Sequence, residues 1–223
     1  MGKKQTVTFD SSRCKISLTT AKARLKFTIE KTSDKNYDKL KDVIKLLEKE
    51  KFDLAFIKTQ NIMVNNYHLK GMYELDDHIE HLREELPTIS KNSEMASSIL
   101  PHMCAIVWAS RNSSLLPDLI TVSQQLSAKY GPEKFEDFLK LSYPSEKFKS
   151  YFTTSAFPDK FVWKYLLTIA EDHRCPIPTI PSEEEEYTFP TLESVIPGVY
   201  YPTEDDQALL EDIRKMQEMD KFK

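Results

Sequence analysis

The sequence predicts an all-α protein, and three observations carry that prediction. Glycine is scarce, at 4 in 223 residues, which argues against the turn-rich connections of a sheet fold. Apolar residues recur at three- and four-residue steps through most of the chain, the period of a helix with one buried face. Gly131 and Pro132 stand together where one such run stops and the next starts. Glycine accepts the left-handed conformation that closes a helix, and proline fits the first turn of the following one.

The first helix is expected to begin near Arg13, with Asp10, Ser11 and Ser12 supplying capping oxygens. Cys14, Leu18, Ala21, Leu25 and Ile29 form its apolar seam. Lys15, Lys22, Arg24 and Lys26 lie off that seam as a basic stripe. Thr32-Ser33-Asp34 interrupts the pattern, so a tight loop is expected there. A second helix then runs from about Asn36 to Leu86 on Leu40, Val43, Leu47, Leu54, Ile57, Val64, Met72, Leu75, Ile79 and Leu82. The charged residues 48–53 read as a bend or a solvated stretch within it. Two such helices bury their seams against each other as an antiparallel hairpin. Gly71 costs about 1 kcal/mol against alanine in a helix interior, so its presence predicts a kink or a close helix crossing.

The C-terminal half is helical throughout. Leu115, Leu119, Val122, Leu126 and Tyr130 give one stripe, Phe135, Phe138, Leu139 and Leu141 the next, and Val162, Tyr165, Leu166 and Ile169 a last helix over roughly 161–172. Trp108 and Trp163 are expected as core anchors, and Met63, Met72, Met95 and Met103 as gap fillers. After residue 176 the composition changes: Pro176, Pro178, Pro181, Pro190, Pro197 and Pro202 surround Glu183–Glu186, an extended segment without its own core. Residues 204–223 return to helical spacing, with Leu209, Ile213 and Met216 on one face and Asp206 a turn upstream. The chain therefore divides into an N-terminal extension (1–10), a helical core (11–176), an acidic proline-rich linker (177–203) and a C-terminal amphipathic helix (204–223).

Charge is unevenly placed. The net charge is −4, yet Lys3, Lys4, Arg13, Lys15, Lys22, Arg24, Lys26, Lys31 and Lys35 crowd the first 35 residues, and carboxylates dominate the last 48. A basic element suits an anionic surface, and an acidic tail suits a cover for it. A negative whole and the lack of aromatic residues among the basic ones argue against a nucleic-acid partner. No run reaches the roughly 18 apolar residues of a membrane span. Cys14, Cys104 and Cys175 are far apart and odd in number, reading as reduced thiols of a cytosolic protein.

No constellation for catalysis is present. The phosphate-cradling and nucleophile-elbow glycine motifs are both missing, so the chain reads as non-enzymatic and without a cofactor. His78 and His81, with Glu74 and Asp77 near them, share one helix face. Two imidazoles do not make a metal site, and the pair reads as packing. Met1-Gly2-Lys3-Lys4-Gln5-Thr6 matches the loose N-myristoylation pattern at Gly2, although lysine after the glycine is unfavourable.

The wording of the C-terminal half is itself distinctive. The tryptophan–alanine–serine step at 108–110, the run Leu119–Gly131 with its QLSAKYG phrase, and YLLTIA at 165–170 followed by Pro176 resemble the increased-sodium-tolerance (Ist) family. The resemblance spans about residues 11–178. It implies an ESCRT-III-like core, cytoplasmic and peripheral on endosomal membranes, acting in multivesicular-body sorting and membrane scission. It also implies assembly with ESCRT-III subunits into a homo- or hetero-polymer, and contact of Lys15, Lys22, Arg24 and Lys26 with an anionic membrane surface or a neighbouring subunit. A Vps-type AAA ATPase would be recruited or regulated through its microtubule-interacting-and-trafficking (MIT) domain. Two tail segments resemble MIT-binding motifs. Ile177, Pro178, Ile180 and Pro181 match the extended proline type. Asp206, Leu209, Ile213 and Met216 match the acidic and apolar positions of the helical type, while Asp212 stands where that motif has arginine. The rival reading is a non-polymerising helical adaptor that uses its tail only as a peptide ligand.

Overall fold

A computed structural model describes residues 8–140 and 143–178, and among these residues the fold is all-helical. Helix α1 (Ser11–Glu48) is 38 residues long and α2 (Phe52–Glu84) is 33. At 1.5 Å per residue α1 spans about 57 Å. Six shorter helices follow: α3 (Leu86–Lys91), α4 (Leu100–Asn112), α5 (Asp118–Tyr130), α6 (Pro132–Leu139), α7 (Glu146–Thr153) and α8 (Asp159–Asp172).

Asp10 caps α1 by accepting from the Arg13 amide at 3.0 Å. The helix does not stop at Thr32-Ser33-Asp34, so the expected loop there is corrected. Those side chains lie on or beside the solvent face of an unbroken helix, and polarity alone does not end a helix whose other face is covered. The real turn is Lys49–Lys51, inside the charged stretch. Glu50 takes a left-handed φ of 53° there, and Lys51 N–H donates to the Leu46 carbonyl at 2.9 Å. The second helix accordingly starts at Phe52 and ends at Glu84, with Leu86 already in α3.

Polar pairing in the seam explains why α1 runs on. Asn36 is buried, donating to Asn66 Oδ1 at 2.8 Å and accepting from Asn65 Nδ2 at 2.7 Å. The Tyr165 hydroxyl of α8 bonds to Asn66 in turn. A buried amide is tolerated only when its hydrogen bonds are made, and here α2 and α8 make them.

Two clusters of apolar side chains divide the hairpin lengthwise. At the end holding the α1 N-terminus, Cys14, Leu18, Ala21, Leu25 and Ile29 meet Leu75, Ile79 and Leu82 of α2, together with α4 and α5. At the far end Leu40, Val43, Leu47, Ala55 and Ile62 are covered by Tyr165, Leu166, Ile169 and Ala170 of α8. Tyr67, Tyr151, Phe157 and Val162 join the two. Gly71 is a close crossing: a Cβ at this position would lie 2.4 Å from Tyr151 Cβ, so only glycine lets α7 rest on α2 here. Gly131, at φ 82°, separates α5 from α6, and Pro132 opens α6. Trp108 packs on Phe148 and Phe152, and Trp163 on Phe56 at 4.6 Å between ring centroids. Helix α7, with buried Phe148 and Tyr151, lies in the stretch read as helical but was not picked out there as an element of its own.

Candidate binding surfaces

The basic stripe of α1 divides into two kinds of residue. Lys22 is drawn into the hairpin, 2.9 Å from Glu80 Oε2 and 3.3 Å from Asp76 Oδ2 on α2, while Glu80 also pairs with Arg83. The hydrogen bond to Glu80 holds the Lys22 ammonium above the ordinary lysine range, and nearby Asp76 adds to it. Arg24 reaches α5, with Nε 2.9 Å from Asp118 Oδ2. Lys15 and Lys26 point to solvent. Half of the stripe is therefore paired with carboxylates of neighbouring helices.

The outward face of α1 carries something the sequence reading missed. Ile16 is 66% exposed and Phe27 63%, both on the side opposite the buried seam. Steps of four, three and four place Thr20 and Ala23 between them on one line. Arg13, Lys15, Arg24, Lys26 and Lys31 flank that line, and the Lys31 ammonium lies 5.9 Å from the Phe27 ring centroid. A second apolar period, offset from the first by half a turn, was the signal that would have revealed it.

At the far end of the hairpin Leu54 and Ile57 are also more than half exposed. Lys39 lies near Lys35 and Lys58, and burial foremost, then these two ammoniums, pushes its pKa down. Lys58 is neutralised by Asp42 at 2.7 Å.

A third locus lies where α2 meets α4. His78 and His81 are joined there by His102 from the first turn of α4. His78 Nδ1 is 2.9 Å from His102 Nδ1, and the His81 and His102 ring centroids are 4.6 Å apart. Burial foremost, then His102, pushes His78 down to about 4. The sequence reading stopped at two histidines because His102 lies on another element. Among the described residues no three donors converge on one point as the side chains stand.

Of the two tail motifs, only Ile177 and Pro178 are described: Ile177 is exposed and Pro178 is buried. Gly2, Ile180, Pro181, Asp206, Leu209, Ile213 and Met216 lie outside the described residues. Among the described residues no helix is long and apolar enough to cross a membrane.

Comparison with known proteins fixes the family. Residues 15–176 match the family model Ist1, described as a regulator of Vps4 activity in the MVB pathway. This chain belongs to the Ist1 family. The fold matches the crystal structure of the S. cerevisiae Ist1 N-terminal domain in complex with a Did2 MIM motif, at a TM-score of 0.69 and 17% identity, over 79% of this chain and 100% of that one. No curated protein gives a match. The resemblance read from the sequence and the all-helical fold expected from it both stand.

Proposed function

We propose that this Ist1-family chain is a regulatory subunit rather than an enzyme, working on endosomal membranes with ESCRT-III subunits and with Vps4. The observation that carries the reading is the family match across residues 15–176, coincident with the hairpin and the helices that pack on it. The yeast structure is a complex with a Did2 MIM motif, and the core of this chain would take a comparable motif from an ESCRT-III subunit. Ile177, Pro178, Ile180 and Pro181, and separately Asp206, Leu209, Ile213 and Met216, would engage the Vps4 MIT domain. The helical motif would use a helix-in-groove mode with three apolar anchors. Lys15 and Lys26, with support from Lys22 and Arg24, would contact an anionic leaflet or a neighbouring subunit in a polymer. Each basic side chain near such a leaflet contributes about 1 kcal/mol.

Fluorescence polarisation of the peptide 177–223 against the Vps4 MIT domain tests the tail. Saturable micromolar binding, roughly −8 kcal/mol, is expected, with loss in Leu209→Asp. Loss only in Ile180→Asp would move the contact to the proline segment. Silence up to about 1 mM, roughly −4 kcal/mol, would remove direct tail coupling to the ATPase.

A second reading, an adaptor with neither membrane nor polymer, is favoured by the pairing of Lys22 and Arg24 with carboxylates of this chain's own helices. Liposome pelleting of the full chain at low and high salt separates the two. Binding that salt abolishes supports membrane contact, and no pelleting at low salt supports the adaptor.

A further inference from the structure

None of these roles uses the three-histidine cluster. His78 and His81 stand three residues apart on α2, and His102 lies in the first turn of α4. The His78 side chain is only 17% exposed. Its Nδ1 lies 2.9 Å from His102 Nδ1, a hydrogen bond between two like nitrogens. A neutral imidazole carries one N–H and one bare nitrogen, so this contact needs unlike tautomers. One ring donates from Nδ1, and the other accepts there and keeps its proton on Nε2. The His81 and His102 ring centroids are 4.6 Å apart, and the Phe148 ring of α7 lies 5.4 Å from the His78 ring.

Proton count decides whether this contact can exist. A first extra proton can sit on the bare Nε2 of the donor ring and leave the Nδ1–H···Nδ1 bond in place. A second has only the accepting Nδ1 left, which would set two N–H groups and two like charges face to face. We propose that the His78–His102 bond is an acid-released latch between α2 and α4, closed while one proton lies between the Nδ1 atoms and opened when both carry one. The surrounding groups set its range. Burial foremost, then His102, resists a proton on His78; His81 adds to this, and Asp77 opposes it. Burial, then His81, resists a proton on His102. Glu74 Oε1 lies 4.0 Å from His78 Nε2, and burial foremost raises that carboxyl, with Asp77 adding to it and Lys147 of α7 and Lys70 opposing it. Folded His78 is thus held down to about 4 from an ordinary 6.5, so below pH 6.5 the unfolded chain takes up protons that the folded pair refuses. The latch is fully effective above that pH and is lost progressively toward pH 4. Its release would loosen α4, whose Met103, Ile106 and Val107 belong to the cluster around the α1 N-terminus, while α8 covers the far half of the hairpin. The latch is independent of the endosomal role proposed above.

Imidazole nitrogen-15 NMR of the full-length protein, joined to denaturation between pH 7.5 and pH 5, tests it. At pH 7.5 one of His78 and His102 should be the Nδ1–H tautomer and the other the Nε2–H tautomer. The denaturation midpoint of the parent should fall on acidification, and His102→Gln, which keeps a neutral polar group there, should remove at least half of that fall. His68→Gln, at a histidine that meets the Thr154 carbonyl at 3.1 Å elsewhere on α2, should leave the fall intact. Amide hydrogen exchange at pH 5.5, corrected for intrinsic rates, should show protection lost in α4 ahead of α8. Two Nε2–H tautomers at pH 7.5, or a folded His102→Gln whose midpoint falls as steeply as the parent's, would overturn the latch. Equal loss of protection in α4 and α8, or a fall that disappears with His68→Gln, would overturn it as well. Circular dichroism at pH 7.5 verifies folding of each variant, and the tautomer pattern of the parent decides if His102→Gln does not fold.

Discussion

Asn36 sets the pairing of the two long helices. Its amide is buried among apolar neighbours and is satisfied only by Asn65 and Asn66. Asn36→Ala removes both of these bonds, at about 1–3 kcal/mol of stability. Chemical denaturation should show a lower midpoint with an unchanged slope. Gly71→Ala forces its new methyl against Tyr151, and an overpacked contact of this kind costs about 1–3 kcal/mol. A melting temperature within 1 °C of the parent would show that α7 yields instead. The thiols make a third prediction. Burial, with Asp10 adding to it, pushes Cys14 up to about 12, and burial pushes Cys104 up to about 11. Both should resist alkylation at pH 8 in the native state, and Cys175, only partly buried, should react first. Peptide mapping after brief N-ethylmaleimide treatment reads the order directly.

At the scale of elements, the pairing of Lys22 gives a clean separation of roles. Lys22→Glu places a third carboxylate beside Asp76 and Glu80, so it should lower the melting temperature. Lys26→Glu faces solvent and should leave melting unchanged while reducing liposome pelleting at low salt. Equal pelleting by Lys26→Glu and the parent would remove α1 from the membrane contact. Even so, the hairpin does not rest on ion pairs. A half-exposed pair contributes about 0–1 kcal/mol, whereas each fully buried leucine of the seam contributes about 1.5–3 kcal/mol. The apolar seam was legible in the sequence for this reason, residue by residue from Cys14 to Ile29 and again from Leu40 to Leu47. The turn was not. Thr32-Ser33-Asp34 carries turn-forming side chains but sits outside the buried face, and the loss of apolar period at Asn36 is made good by partners 29 and 30 residues away. Pairing across that distance is invisible to a local period. The α5–α6 boundary, by contrast, was placed correctly because Gly131 and Pro132 decide it locally.

On the scale of the molecule, α8 is the cover of the hairpin's far half, and α3 to α7 surround the near half. A chain cut after Pro178 keeps every described contact, so it should unfold in one cooperative transition within a few degrees of the full chain. A broad transition, or a fall of more than about 8 °C, would mean that the tail contributes to the core. Of the candidate surfaces, the basic residues of α1 could be read from the sequence, since their spacing is local, while the tail motifs lie outside the described residues but for Ile177 and Pro178. The outward line Ile16–Phe27 was hidden by a stronger stripe on the same helix. The third histidine was hidden because it comes from α4, 21 residues after His81. Tertiary proximity has no local signature, and surfaces assembled from several elements share that limit.

The amide triad of Asn36, Asn65 and Asn66 has a mechanical consequence. Two long rods joined by apolar contact alone could slide past each other, because leucine packs on leucine in many offsets. A shift of one turn, about 5.4 Å, would part Asn36 from both of its amide partners. The triad therefore acts as a key in a slot. Displacement along the rods is thereby opposed, and the hairpin's register rests on three amides as well as on its apolar seam.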